Sequence, residues 1–317
     1  MKEGPDMTKA PFHSGELAVQ ERAGEAAIAR RNGAAVSDKV IGGARLFLTQ
    51  QPMIVLSSSD RESAMWASIV FGRPGFLASE DGASLDIDLS RTLVDPRDLL
   101  WDNVRREIRL GALVIELGSR RRIRINGPAR FDENHRLRID VEESFLACPK
   151  YITRRHVRIA SVETLKADGP LASGTGLAAA PLAMFSNADT MFVATRSNER
   201  GYDVSHRGGL PGFLKVTGPL TIQWPEYPGN SMFNTLGNLI HNCEAGLVIP
   251  DFERGRTLQL TGTAVTLWDQ NDPANMTGGT RRFVEMTVSR WQELTLPSDL
   301  KAELLDYSSF NPPVVAP

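Results

Sequence analysis

Cysteine is nearly missing, with two in 317 residues. Cys148 and Cys243 cannot build a disulfide framework and fit a reducing compartment, so a cytoplasmic setting is expected. Two are too few for an iron–sulfur cluster, and a single Cys148 cannot make a structural zinc site. Histidine is also scarce, and His13, His135, His156 and His241 show no metal-ligand spacing, so no metal centre is expected. No run of about 18 apolar residues exists, which argues against a membrane-spanning helix. Residues 1–16 lack the apolar core of a secretory leader. A charge excess is missing too: 36 Lys+Arg face 38 Asp+Glu, a formal net charge of −2, whereas a dedicated nucleic-acid binder carries a clear basic surplus. Neither a Rossmann glycine fingerprint nor a P-loop is present, so NAD(P)H, if used, enters as a diffusible reductant. What remains is an ordinary globular composition, 41% hydrophobic and 23% charged. It is long enough for one large domain or two of about 150 residues.

The chain does contain internal similarity. Gly72-Arg73-Pro74-Gly75-Phe76-Leu77 returns as Gly209-Leu210-Pro211-Gly212-Phe213-Leu214, at an offset of 137. Met53-Ile54-Val55 matches Met191-Phe192-Val193 at 138, Leu113-Val114-Ile115 matches Leu247-Val248-Ile249 at 134, and Gly127-Pro128-Ala129 matches Gly262-Thr263-Ala264 at 135. Four matches in one order read as a duplicated domain, since the period is far too long for a solenoid. The expected division is a helical arm (1–44), a first domain (45–165), a linker (166–184), a second domain (185–295) and a tail (296–317).

Each copy reads as strands, one helix, then strands. Residues 53–57 and 191–195 are short apolar runs, and 84–88 and 220–224 alternate as strands with one buried face. In the first copy Asp95 is a candidate N-cap before Pro96, Leu100, Val104 and Ile108 form a stripe, and Gly111 ends the helix. In the second copy the stripe is Met232, Leu236, Leu239 and Ile240. Strands at 112–117, 122–126, 247–249 and 258–261 follow. Residues 14–31 are helix-prone, with Leu17, Ala23, Ala27 and Ile28 near one face. Short strands with little helix predict a mainly β protein closed into small barrels.

Several segments carry a family resemblance. They are Phe12-His13-Ser14-Gly15-Glu16 with Gln20 and Arg22-Ala23-Gly24, Cys148-Pro149-Lys150-Tyr151-Ile152, and Ser205-His206-Arg207-Gly208-Gly209. Trp224-Pro225-Glu226-Tyr227-Pro228-Gly229-Asn230 with Met232-Phe233-Asn234-Thr235, and Leu258-Gln259-Leu260-Thr261-Gly262, complete the set. Together they resemble the pyridoxamine 5′-phosphate oxidase-like family of FMN-binding split barrels, in particular its tandem bacterial members, over about residues 12–295. The resemblance implies two tandem split β-barrels packed as an intramolecular pseudo-dimer, with FMN in a groove between them. It implies an FMN-dependent oxidoreductase acting on a small molecule, with NAD(P)H or a separate reductase as electron donor. The unit would be a monomer or would dimerise again. It does not extend to pyridoxamine phosphate oxidation, because Asn234 and Thr235 stand where related oxidases carry phosphate-binding Arg and Lys. The alternative is a non-catalytic split barrel that binds haem, a deazaflavin or another small anion, with His206 or His241 as haem ligand.

On this reading the 227–235 segment is a strand-to-helix turn in which Asn230, Ser231, Asn234 and Thr235 donate to a phosphate at a helix N-terminus. Arg207 and Lys215 supply positive charge, Ser205 lies beside them, and His206 and Tyr227 sit nearer the ring or substrate. In the first copy Trp66-Ala67-Ser68 is aligned with Val204-Ser205-His206, and the carboxylate of Asp95 repels a phosphate, so the site is expected in the second copy. Trp66 and Arg73 are weighed as contributors from across the pseudo-dimer. The run Arg120-Arg121-Arg122-Ile123-Arg124 reads either as a solvated hairpin face or, for Arg122, as a strand position reaching the flavin, with Thr257 its partner in the second copy. Lys150 is a further candidate for an anion contact, and Cys148 reads as buried packing.

Overall fold

The computed structural model describes residues 11–93, 95–106, 109–133, 136–159 and 172–314. Ile108, His135 and the 166–171 part of the expected linker lie outside them. The chain begins with α1 (Ser14–Arg22), α2 (Ala26–Gly33) and α3 (Gly42–Thr49). The single helix expected over 14–31 is broken where Gly24 adopts φ 68°, a conformation that glycine takes at no steric cost. The apolar stripe is also misplaced: Leu17 and Ile28 are 48% and 43% exposed, while Glu16, Val19 and Gln20 are buried. Helix α3 crosses the 44/45 boundary expected between arm and first domain.

The first barrel comprises β1 (Met53–Ser59), β2 (Met65–Gly72), β3 (Leu77–Ala78), β4 (Ser84–Ile87), β5 (Thr92–Leu93), α4 (Leu100–Val104), β6 (Arg109–Glu116), β7 (Arg121–Phe131), β8 (Leu137–Asp140) and β9 (Glu143–Leu146). Strand β10 (Arg154–Ile159) leaves it. After β11 (Ala172–Thr175) and α5 (Leu182–Asn187), the second barrel has β12 (Thr190–Ser197), β13 (Gly201–Gly208), β14 (Lys215–Val216), β15 (Thr221–Pro225), α6 (Asn234–His241), β16 (Glu244–Asp251), β17 (Arg256–Leu267) and β18 (Phe283–Thr295). The last strand is β19 (Leu300–Asp306). The first sheet runs β3-β4-β8-β7-β6-β1-β2-β5, and the second runs β14-β15-β18-β17-β16-β12-β13. Apart from the terminal β5 the two paths are the same, strand for strand, and all pairs along them are antiparallel. These are two tandem split β-barrels.

How they pack explains why the central strands read as unbroken apolar runs. On β1, Ile54 and Leu56 fill the first barrel while Met53 and Val55 face the second. On β12, Met191 and Val193 fill the second barrel while Phe192 and Ala194 face the first. A strand buried on both faces shows no polar alternation. The side-chain period of two nevertheless fixes the true correspondence. The match of Met53 with Met191 is one residue out, since one faces the interface and the other its own core; Ile54 is the equivalent of Met191. Leu113 likewise corresponds to Val248, not Leu247, because Leu113 and Val248 share the inter-barrel layer. The glycines agree: a Cβ on Gly111 would lie 2.7 Å from Asp203 Cα, and one on Gly246 the same distance from Trp66 Cα. Trp66 is thus the counterpart of Asp203, and Ser68 of Ser205. The alignment of Trp66-Ala67-Ser68 with Val204-Ser205-His206 is corrected by one position.

Three further expectations change. Helix α4 begins after Leu99 with no side-chain cap. Asp95 instead binds the guanidinium of Arg97 (Nε, 2.7 Å), and the carboxylate at the start of α4 is Asp98, which accepts from Leu100 N–H at 2.9 Å. Gly111 does not end a helix; it lies within β6. Neither the linker nor the tail is purely a connector, since β11 pairs with β18 and β19 pairs with β10. Among the described residues no helix is long and apolar enough to cross a membrane.

The inter-barrel layer requires close backbone approach at Gly246, where an added Cβ would sit 2.5 Å from Met65 O. Overpacking there is expected to cost about 1–3 kcal/mol. Gly246→Ala should therefore lower the urea midpoint of unfolding, whereas Gly229→Ala, where a Cβ meets nothing, should not. Equal midpoints would contradict the interface described.

Candidate functional site

One cleft lies where β7 of the first barrel meets β13 and the 226–235 segment of the second. It gathers nine of the residues singled out in the sequence: Arg122, Ser205, His206, Arg207, Tyr227, Asn230, Ser231, Asn234 and Thr235. Lys150 and Cys148 also line it. Two expected members stand elsewhere. Lys215 lines a neighbouring pocket behind Tyr227, because the Pro211–Gly212 turn carries the chain away, and its Nζ lies 3.8 Å from Met276 Sδ. Thr257 lies in the pseudo-equivalent groove.

The floor is built around a residue not singled out, Arg124. It is 7% exposed and comes from β7, yet its guanidinium's polar partners among the described residues are on the second barrel. Its Nη1 donates to Asn234 Oδ1 and its Nη2 to Ser205 Oγ, both at 2.7 Å. Its Nε lies 3.1 Å from Asp203 Oδ1. Thr235 Oγ1 donates to Ser205 Oγ at 2.9 Å, and Asn234 Nδ2 donates to Glu16 Oε1. The face of Phe145 lies 5.0 Å below the guanidinium. A buried cation is tolerable only with this degree of pairing.

The cations above the floor differ in how far they are neutralised. Arg207 forms a forked pair with Glu226, at 2.9 and 3.1 Å. Arg122 donates to the backbone carbonyl of Cys148 at 2.8 Å through Nε, and among the described residues it has no carboxylate partner. Burial, together with the nearby Arg124 and Arg207, pulls Arg122 down to about 9. It is still a cation at neutral pH, but one whose charge is poorly compensated. The basic 120–124 run is thus not a wholly solvated face.

Helix α6 begins at the cleft. Its N-cap, Phe233, has φ 60° and no side chain caps the helix. Ser231, two residues earlier, has φ 62°. Two non-glycine residues in the left-handed region within one turn mark a strained segment of the kind found at binding sites. First-turn N–H groups without a capping side chain, beside an uncompensated guanidinium, suit an anion.

His206 is 4% exposed, packs edge-on to Phe192 with ring centroids 5.5 Å apart, and has a buried Nε2 without a hydrogen-bond partner. Burial and then the charges of Arg122 and Arg207 hold it well below its ordinary value, so it is neutral. Tyr227 packs against Tyr151 with ring centroids 4.7 Å apart and planes tilted by 43°, and burial raises both phenols, that of Tyr151 to about 12. Both are protonated at neutral pH and able to donate. Tyr151 does so to Pro228 O at 2.9 Å.

The pseudo-two-fold groove is built from the equivalent positions with different chemistry. Gln259 stands where Arg124 stands, and its Nε2 reaches Ser68 Oγ and Asp98 Oδ2, both at 3.0 Å. Thr257 stands for Arg122. Its described lining is mostly apolar around Asp95, Asp98, Thr257 and Thr295, and the cation beside it, Arg97, is taken up by Asp95 and Thr295. Burial raises Asp98 to about 6. A carboxylate replaces positive charge here, and the groove is unsuited to an anion. Trp66 is 2% exposed and donates to Asp60, and Arg73 is exposed; neither lines the cleft.

Two barrels sharing one cation-lined cleft define the architecture. No family model matches the chain, and no curated protein matches it. Solved structures do. A protein related to general stress protein 26 of the pyridoxinephosphate oxidase family, from Clostridium acetobutylicum, is 14% identical, aligning 38% of this chain with 89% of its own at a TM-score of 0.28. An FMN-binding protein from Syntrophomonas wolfei is 10% identical (36% and 83%, TM-score 0.29). The FAD binding protein from Mycobacterium smegmatis is 13% identical (39% and 98%, TM-score 0.27).

Glu16 provides a test of the buried cluster. Burial, then the charge of Glu143, raises its carboxyl from 4.5 to about 8. Between those values the folded protein keeps a proton that the unfolded chain has released. The group's contribution is therefore most favourable below the unfolded value and declines as pH rises towards 8. The slope of unfolding free energy against pH from 5 to 8 should flatten in Glu16→Gln. An unchanged slope would contradict the burial of this carboxyl.

Proposed function

We propose that the cleft holds FMN and that the chain is a flavin-dependent oxidoreductase acting on a small molecule. The observation that carries this reading is Arg122, a half-buried cation with no carboxylate partner among the described residues, beside the uncapped start of α6. That pair suits a phosphate monoester. The unpartnered Nε2 of His206 suits a ligand with polar ring edges. The family resemblance of the sequence supports the same choice, and flavin binding by two of the structural relatives agrees with it.

Asn234 and Thr235 would hold the phosphate with Arg122, and Arg207 would add a second cation at the rim. Asn230 and Ser231 lie along the same wall. Bound flavin supplies two-electron redox chemistry. Neutral His206 and protonated Tyr227 would face the ring or the substrate as hydrogen-bonding groups, and burial with the charges of Arg122 and Arg207 keeps His206 from taking up a proton. The Tyr151–Tyr227 pair would exclude water. A diffusible NAD(P)H or a separate reductase would deliver electrons.

The test is the absorbance spectrum after addition of FMN and desalting. Flavin bands should remain with the wild-type protein. Arg122→Ala should weaken FMN binding by about 10- to 100-fold, the value of one charge-assisted hydrogen bond, with the far-ultraviolet circular dichroism unchanged. Thr257→Ala, at the equivalent position of the other groove, should bind as wild type. A wild-type protein that retains no FMN would exclude the reading.

A further inference from the structure

The segment that walls the cleft is held from behind by the N-terminal arm. Gln20 Nε2 donates to Met232 O at 3.2 Å, and Asn32 Nδ2 donates to Asn230 O at 2.8 Å. Glu25 Oε2 accepts from Ser231 Oγ at 2.6 Å, while its Oε1 accepts from both Nη atoms of Arg282, at 3.2 and 3.3 Å. Glu16 accepts from Asn234 Nδ2, and the His13 ring meets Asn238 Oδ1 at 2.9 Å. Five residues between 230 and 238 are thus gripped by five residues between 13 and 32. The helices touch backbone to backbone: a Cβ on Gly15 would lie 2.3 Å from Gly237 O, and one on Gly237 would lie 2.6 Å from Glu16 N.

The grip coincides with the strain. Ser231 and Phe233, at φ 62° and 60°, lie inside the gripped stretch. Such conformations persist only where the surroundings over-determine them. Glu16 also settles the amide of Asn234. With Nδ2 given to Glu16, Oδ1 is the atom that faces Arg124. Around Glu16 stand the His13 N–H on its own helix, Asn234 on α6, Glu143 on β9 and Asp203 on β13. Arg124 on β7 reaches it through Asn234.

We infer that the N-terminal arm is a part of the ligand site, a buckle that holds residues 230–234 in their strained, cleft-facing form, with Glu16 the positioning residue for the Asn234 amide. The inference rests on the proposed function only for the identity of the ligand. It explains why buried polar groups, and not the apolar Leu17 and Ile28, form the inner face of the arm.

The experiment uses the full chain with Glu16→Ala, Glu25→Ala, Glu16→Gln and Glu25→Gln, and takes two readings. The first is FMN affinity by fluorescence quenching. The second is amide hydrogen exchange of the ligand-free protein. The alanine variants should bind FMN about tenfold more weakly, the scale of one lost buried hydrogen bond, and should exchange faster at residues 229–237 while β1, β6, β12 and β16 keep wild-type protection. The glutamine variants should recover most of both. Wild-type exchange at 229–237 in the alanine variants, or faster exchange spread over both barrels, would overturn the buckle. If wild type binds no FMN, the proposed function fails, and the exchange reading still decides the buckle.

Discussion

A guanidinium buried between two barrels organises this molecule. Arg124 belongs to the first barrel by sequence and to the second by its bonds. Leaving it unpaired would cost several kcal/mol, so Asp203, Ser205 and Asn234 are drawn to it. Those three positions fix β13 and the start of α6 relative to β7. The cleft is the space this network leaves above itself. Arg122, two residues away on the same face of β7, is left with a carbonyl where Arg124 has a carboxylate.

The frame is nearly two-fold symmetric, and the chemistry is not. Glycines at 111 and 246 let each barrel touch the other's backbone, and both barrels contribute to the apolar layer between them. On that frame, arginines at 122 and 124 build one groove, while Thr257 and Gln259 build the other. Gln259 makes the same reach as Arg124 but brings no charge, and it ends on the carboxylate of Asp98. Duplication within one chain lets the two grooves diverge, which an identical homodimer does not allow. The N-terminal arm deepens the difference, since Glu16 and Glu25 grip only the α6 side.

Much of this was legible in the sequence. Strand positions, the shared Pro-Gly-Phe-Leu turn and the clustering of the 205–207 and 227–235 segments follow from pattern and resemblance. The one-residue error in aligning β1 with β12 has a physical cause. Met53-Ile54-Val55 is apolar on both faces, so no alternation reveals which face is which. Arg124 escaped notice inside a basic run that resembles a solvated hairpin. The signal was its spacing of two from Arg122, with uncharged Thr257 and Gln259 at the equivalent positions. Glu16 was missed because a helix is read by its apolar stripe, and here two polar residues, Glu16 and Gln20, are buried beside Val19. Lys215 seemed close to the site in sequence, but a turn with Gly212 at φ 91° directs it elsewhere.

The central claim is that only one of the two grooves holds the ligand. Titration calorimetry with FMN gives the number bound per chain directly. The account predicts one, bound about 10- to 100-fold more weakly in Arg122→Ala. Two flavins per chain, or one bound with wild-type affinity after the loss of Arg122, would contradict it.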